Sequence, residues 1–286
     1  MSTAKKKLLN TMARVPILGA IVLGIWRAAC AARPAFRPVR HYLTWIFLSK
    51  ETTNYTYDIT DLNRKYLAAL IADIVEKPVK EILGYFQELE SNRDLSLHLS
   101  EAPTQRSHKA TSDRRPLYGR RLGWYALARA VRPHVIVETG VDKGLGACVL
   151  TAALLKNSKE GFPGQYYGTD INPEAGYLLA EPYSEVGKVL YGDSIESLGK
   201  LNDPIGFFVN DSDHSADYEA REYETIQEKL TPNAIIVGDN AHISDELLMF
   251  SQRTGRQFAY FREEPKDHWF PGAGVGIAFR RNNEFK

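Results

Sequence analysis

The sequence predicts an α/β fold: a mainly parallel sheet that ends in an antiparallel edge pair and is preceded by an N-terminal helical extension. Three observations carry this expectation. From Leu117 onward, short apolar runs of strand length alternate with helical stretches, as a parallel sheet covered by helices requires. Polar residues gather immediately after those runs, at the strand ends where open α/β sheets bind ligands. The chain then closes on two extended segments joined by a loop, which suits an antiparallel edge.

The strands are expected at Val135 to Val137, Tyr166 to Gly168, Lys188 to Tyr191, Gly206 to Val209 and Ala234 to Val237. Helices are expected between them, notably over Ala147 to Lys156, Glu174 to Leu179 and Tyr218 to Leu230. Arg256 to Arg262 and Gly274 to Arg280 form the edge pair. The stretch between them, Arg262 to Gly272, mixes charge with aromatics and reads either as an acceptor wall or as an edge loop whose Trp269 covers an apolar patch.

Ahead of this region, the 286-residue chain divides by composition. Residues 1–50 hold nine Lys or Arg and no acid, while the remaining residues hold 27 bases against 35 acids. Such asymmetry points to a segment with its own anionic partner. Arg14 and Arg27 bracket only twelve residues, too few to span a hydrocarbon core that needs about 20. Bases interleaved with Trp26, Trp45 and Phe47 fit a helix lying in the headgroups of an anionic membrane. A basic helix packed on protein fits the same composition. Lys5 to Lys7 ahead of an apolar run also has the outline of a secretory signal. Two cysteines in dissimilar contexts, Cys30 and Cys148, give neither a disulfide framework nor a thiolate zinc site and point to a reducing, cytoplasmic setting.

Residues 51–116 read as a helical subdomain with a lid or linker. Ser49 to Asn54 is a linker, and Asp61 to Lys77 is a helix with Leu62, Tyr66, Leu70 and Ile74 four apart. Pro78 interrupts it and begins a second helix reaching Glu90, with Ile82, Phe86 and Leu89 on one face. Ser91 to Arg115 is polar and bounded by Pro116, so a loop is expected. Residues 117–286 read as one α/β domain. The region after residue 50 is net acidic, and its Arg114, Arg115, Arg120 and Arg121 cluster is short, which argues against nucleic acid.

The first strand end reads Glu138-Thr139-Gly140-Val141-Asp142-Lys143-Gly144, a turn whose glycines permit close ligand approach. A dinucleotide pyrophosphate and a phosphate-free nucleoside both suit such a turn, but Asp142 would face two phosphates in the former. At the second end, Asp170 and Ile171 follow the strand, and a carboxylate there accepts from both ribose hydroxyls or caps a helix. Asp193 and Ser194 at the third end can face an adenine amine.

These residues resemble the class I S-adenosylmethionine-dependent methyltransferases, within them the macrocin-type and catechol-type O-methyltransferase branch. The resemblance covers about residues 117 to 286 and implies a Rossmann-like methyltransferase fold. It implies that Glu138 and Gly140 begin the donor loop, that Gly144 closes it, that Asp170 holds the ribose and that Asp193 and Ser194 lie near adenine. Asp142 stands where the family commonly has a middle glycine.

The fourth and fifth ends read Asn210-Asp211-Ser212-Asp213-His214 and Asp239-Asn240-Ala241-His242. Oxygens from Asp211, Asp239 and Asn240 suit a hard ion such as Mg²⁺ and resemble the metal site of that branch. Such an ion would lower the pKa of an acceptor hydroxyl, with His214 as general base beside Asp211. Helix caps and a surface histidine remain the bland alternative. The expected reaction is methyl transfer to a hydroxyl of a small molecule or glycan, lipid-linked if residues 1–50 are interfacial. An NAD-dependent oxidoreductase and a non-catalytic, membrane-tethered donor-binding protein are the alternatives.

Overall fold

The computed structural model describes residues 18–36, 39–51, 55–102 and 117–281. Lys5 to Lys7, Arg14, Arg114, Arg115 and most of the expected lid lie outside the described residues.

The chain forms two units. One comprises residues 1–49 with Asp267 to Trp269, and contains helices α1 (Leu18–Phe36) and α2 (Val39–Leu48). The rings of Tyr42 and Trp45 pack on Trp269 at 5.8 and 5.0 Å between centroids. No side chain of α2 is buried, and Ile21, Ile25, Trp26, Ile46, Phe47 and Leu48 are exposed. No helix among the described residues is long and apolar enough to cross a membrane.

The other unit holds a seven-stranded sheet in the order β3-β2-β1-β4-β5-β7-β6. Its strands are β1 (Val135–Thr139), β2 (Gln165–Asp170), β3 (Gly187–Tyr191), β4 (Ile205–Asn210), β5 (Leu230–Gly238), β6 (Gln257–Arg262) and β7 (Gly274–Phe279). The first five are parallel, and β7 runs antiparallel between β5 and β6, as expected. Every residue of β1, β4 and β7 is buried, which explains why these segments read as unbroken apolar runs. Strand order reverses between β1 and β4, and the polar ends of the two flank the resulting gap.

Helix α3 (Asp61–Ile74) starts where the Thr60 hydroxyl accepts from the Asn63 amide. Helix α4 (Val79–Glu90) follows Pro78, which sits in extended backbone at its N-cap. The loop expected from Ser91 is corrected over its first part. Asn92 caps a further helix, α5 (Arg93–Glu101), by accepting from the Leu95 amide, and Leu95 and Leu99 are buried. An exposed Leu97 between them gives the stretch an alternating leucine pattern, which concealed the four-residue spacing of Leu95 and Leu99. These helices share one core with α6 (Arg121–Val131) and α7 (Leu145–Lys159), through Ile71, Phe86, Leu95, Trp124 and Leu150. Residues 55–102 and the sheet therefore belong to the same packed unit.

The helix expected over Glu174 to Leu179 is absent. Its amides turn outward to the loop after β1, with Gly176 N–H donating to Asp142 O (2.6 Å) and Leu178 N–H to Lys143 O (3.0 Å). Tertiary hydrogen bonds replace the i to i−4 ladder there. Helices α8 (Ser194–Lys200), α9 (Ala216–Ile226) and α10 (Glu246–Arg253) complete the other face of the sheet, α9 ending four residues before the expected Leu230.

Candidate active site

The ends of β1, β2 and β4 are tied together before any ligand is considered. Gly140 N–H donates to Thr169 O and Asp211 N–H to Thr139 O, each at 2.9 Å. Gly140 has φ +79°, and a Cβ there would lie 1.9 Å from the Asp211 carbonyl oxygen. Only glycine fits such an approach. Asp142 is also left-handed, at φ +47°, a conformation that aspartate tolerates better than most residues. This accounts for an aspartate where a glycine was expected: the backbone keeps its turn, and Asp142 N–H donates to Asp170 Oδ2 (2.9 Å). Asp170 also accepts from Asn172 N–H at Oδ1 (2.8 Å), so its carboxylate is held by two main-chain donors.

Around this carboxylate opens a crevice of about 470 Å³, bordered by Gly140, Asp170, Ile171, Asp193 and Ser194. Asp142, Asp211 and Asp213 also border it, and among the described residues no Lys or Arg does. The charge disfavours a pyrophosphate and favours a cationic ligand. Asp193 combines two roles, since it caps α8 by accepting from Glu196 N–H (3.1 Å) and also accepts from the Tyr218 hydroxyl (3.2 Å).

Two residues expected to touch the donor are placed elsewhere. Glu138 is fully buried behind the turn, where the Tyr166 hydroxyl donates to its Oε2. Burial pushes its carboxyl up to about 7, against the Tyr166 hydrogen bond and the Arg121 charge. Gly144, at φ +98°, packs its α-carbon near Gly176 and starts α7 without bordering the crevice. Both shape the turn from behind.

Sequence reading overlooked Glu222, which sits in α9 with no motif to mark it. It accepts from Thr139, Ser212, Ser194 and Asn210 side chains, gathering the ends of β1 and β4 and the start of α8. Burial raises its pKa despite these donors.

A second cavity of about 420 Å³ adjoins the crevice and shares Gly140, Asp142 and Asp211 with it. Its other walls include Tyr57, Arg120, His214, Asp239, His242 and Phe270.

Residues 137–241 match the family model described as a methyltransferase domain, which runs from β1 past the end of β5. This part of the chain is similar to a methyltransferase domain. Its fold is similar to that of the O-methyltransferase TomG from Streptomyces achromogenes, which is involved in tomaymycin synthesis and was solved with SAM. The two are 16% identical with a TM-score of 0.50, over 66% of this chain and 90% of that one. The methyltransferase PaMTH1 from Podospora anserina, solved with SAH, is 17% identical with a TM-score of 0.46, over 68% of this chain and 93% of that one. No curated protein matches the chain.

The second cavity holds the residues expected as base and metal ligands, Asp211, His214, Asp239 and Asn240. His214 Nε2 lies 2.9 Å from Asn240 Nδ2 and 3.8 Å from Asp211 Oδ1, and its Nδ1 is 3.6 Å from Glu219 Oε1. An amide donor at Nε2 requires the lone pair of that nitrogen, leaving the proton on Nδ1 beside Glu219. Gly274 N–H donates to His242 Nδ1 (3.1 Å), and burial with the Arg262 charge lowers the His242 pKa. A neutral His242 thus offers Nε2–H to the cavity.

Asp211, His214 and Asp239 each bring one possible ligand atom within 4.8 Å of the others. The expected set of Asp211, Asp239 and Asn240 is only partly realised. Arg120 Nη2 donates to Asp239 Oδ2 (2.6 Å) and its Nε lies against Oδ1, so both oxygens of Asp239 face a guanidinium. Asn240 is turned with its amide nitrogen toward His214. These residues do not present three open oxygens to a divalent ion. Burial and Asp239 push the Asp211 carboxyl well up, whereas for Asp239 the opposing burial is outweighed by Arg120 and its pKa is lowered.

Arg120 was missed as a site residue because in sequence it belongs to a short basic cluster. Its place is fixed from outside that cluster, by Glu263. Arg120 N–H donates to Glu263 Oε1 (3.0 Å), and the Tyr57 hydroxyl donates to Glu263 Oε2 (2.9 Å).

Proposed function

We propose that the chain transfers a methyl group from S-adenosylmethionine to a hydroxyl oxygen of a small-molecule or glycan acceptor. The observation that carries this reading is the junction of the acidic crevice with the second cavity at Gly140, Asp142 and Asp211, beside His214. Two binding spaces meeting at one general base is what a two-substrate transfer needs.

S-adenosylmethionine, when bound, supplies an electrophilic methyl on a sulfonium. Asp170 would hold the ribose hydroxyls, a role supported by the two amides that orient its oxygens. Asp193 and Ser194 lie at the adenine end, and the crevice's aspartates balance the positive charge. His214 would take the acceptor's hydroxyl proton on Nε2, the acceptor hydroxyl displacing the Asn240 amide from that lone pair, as the oxygen forms the new carbon–oxygen bond and the carbon–sulfur bond breaks. His242 Nε2–H is placed to orient the acceptor oxygen. The products are the methyl ether and S-adenosylhomocysteine.

The acceptor is presented at an anionic membrane surface in this reading, as a lipid-linked molecule. Its support is the nine bases and no acids of residues 1–50, with the exposed Trp26, Phe47 and Leu48 of α1 and α2. Incubation with labelled S-adenosylmethionine and membrane extracts tests it, and label confined to water-soluble acceptors removes the membrane step.

Calorimetry with S-adenosylmethionine and with NAD tests the donor assignment. Binding of the former alone, lost on Asp170→Ala with the fold retained by circular dichroism, is the expected result. Binding of NAD instead makes the protein an oxidoreductase, and donor binding without any methylated product makes it a non-catalytic receptor.

A further inference from the structure

We propose that Arg120 occupies the cation seat of the acceptor cavity, so that this chain methylates without a divalent ion. The inference rests on the methyltransferase reading for its chemical meaning, but its geometry is independent of the donor.

Arg120 immediately precedes α6 and is 8% exposed. It is anchored at both ends, by its main-chain N–H on Glu263 and by its guanidinium on Asp239. Its Nη1 lies 3.8 Å from Glu263 Oε2, and its guanidinium carbon sits 5.9 Å from the centre of the Trp124 ring. Asp239 and Glu263 are both fully buried, and Asp239 stands at the cavity wall beside Asp211. Burial costs this arginine its hydration, yet the Asp239 charge and then Glu263 hold its pKa well above the ordinary value. A fixed fork of donors matched to a carboxylate is the pairing arginine makes best.

A divalent ion bound to Asp239 would sit about 2.1 Å from a carboxylate oxygen. Both oxygens already face Arg120 nitrogens, so the ion would have to stand against a buried positive charge or expel it. Arg120 borders the cavity, and there its charge supplies what the ion would supply: a positive group next to the acceptor oxygen as its proton leaves. It differs in one respect, because it positions the oxygen through donated hydrogen bonds rather than by coordination.

Metal titration followed by thermal melting reads this directly. Wild type at ~10 mM Mg²⁺ or Mn²⁺ is expected to melt at the same temperature as in chelator, since a protein gains stability only from what its folded state binds. Arg120→Met, which keeps the stem and removes the charge, is expected to expose Asp211 and Asp239 and to gain an upward shift with metal. Adding Asp211→Asn should erase that gain, and Arg120→Lys should remain metal-insensitive. A metal-dependent rise in wild type that Asp211→Asn abolishes overturns the proposal, as does an Arg120→Met protein that folds and ignores metal. Should the arginine variants not fold, the wild-type titration decides alone, together with loss or retention of methyl transfer on chelation. Failure of S-adenosylmethionine to bind in calorimetry refutes the donor reading without touching the metal result.

Discussion

Replacing Glu138 by Gln should change how stability depends on pH. Glu138 is the penultimate residue of β1 with 1% of its surface exposed, and it abuts the first turn of α7 so closely that a Cβ on Gly146 would lie 2.2 Å from its Oε1. Its carboxyl is raised from an ordinary 4.5 to about 7, burial outweighing the Tyr166 hydroxyl and Arg121. Between these values the folded state holds a proton that the unfolded state releases. Stability from this group is therefore fully present below about pH 4.5 and is lost as pH rises through 7. At 1.36 kcal/mol per pKa unit, the loss between about pH 5 and about pH 8 is roughly 2.5 kcal/mol. Gln cannot titrate, so subtracting the variant's unfolding free energy from that of wild type isolates the group. Urea unfolding followed by the fluorescence of buried Trp124 at the two pH values measures it. Wild type should lose about 2.5 kcal/mol relative to Glu138→Gln on going to the higher pH. A difference that stays flat across that range refutes the argument that burial sets this carboxyl's titration.

Other substitutions test the junction itself. Gly140→Ala must part β1 from β4, because its Cβ falls 1.9 Å from the Asp211 oxygen at a φ of +79°. A cost of about 2–4 kcal/mol is expected, which lowers the melting temperature by roughly 5–10 °C and removes donor binding in calorimetry. His214→Gln keeps a polar side chain near Asn240 but cannot take the acceptor proton, so kcat should fall about 10²- to 10⁴-fold with the S-adenosylmethionine Kd unchanged. Equal kcat in the two proteins assigns the base to another group.

The sheet was readable from local pattern because parallel strands buried on both faces leave unbroken apolar runs, as β1 and β4 do, and the other strands lie within or around the segments expected for them. The acidic crevice was readable for a related reason. Asp170 ends β2, and Gly140, Ile171, Asp193 and Ser194 come within three residues of a strand end, so their position in sequence is also their position in the crevice. Helix α5 escaped notice because two buried leucines in a polar stretch, Leu95 and Leu99, leave a faint period. The segment from Glu174 took the opposite course: its local pattern is helical, but hydrogen bonds to Asp142 and Lys143 from across the fold outcompete the helix.

The sequence by itself therefore determined the α/β class, the strand ends and the acidic crevice they border, since each follows from periodicity and from residues adjacent in the chain. Only the tertiary structure decided the second cavity. Arg120 meets Asp239 across 119 positions and Glu263 across 143, and Tyr57 reaches Glu263 across 206. A charge's partner is chosen by packing, and no local spacing encodes it. Read alone, Asp239 was an open ligand for a metal ion; folded, it is the counterion of an arginine.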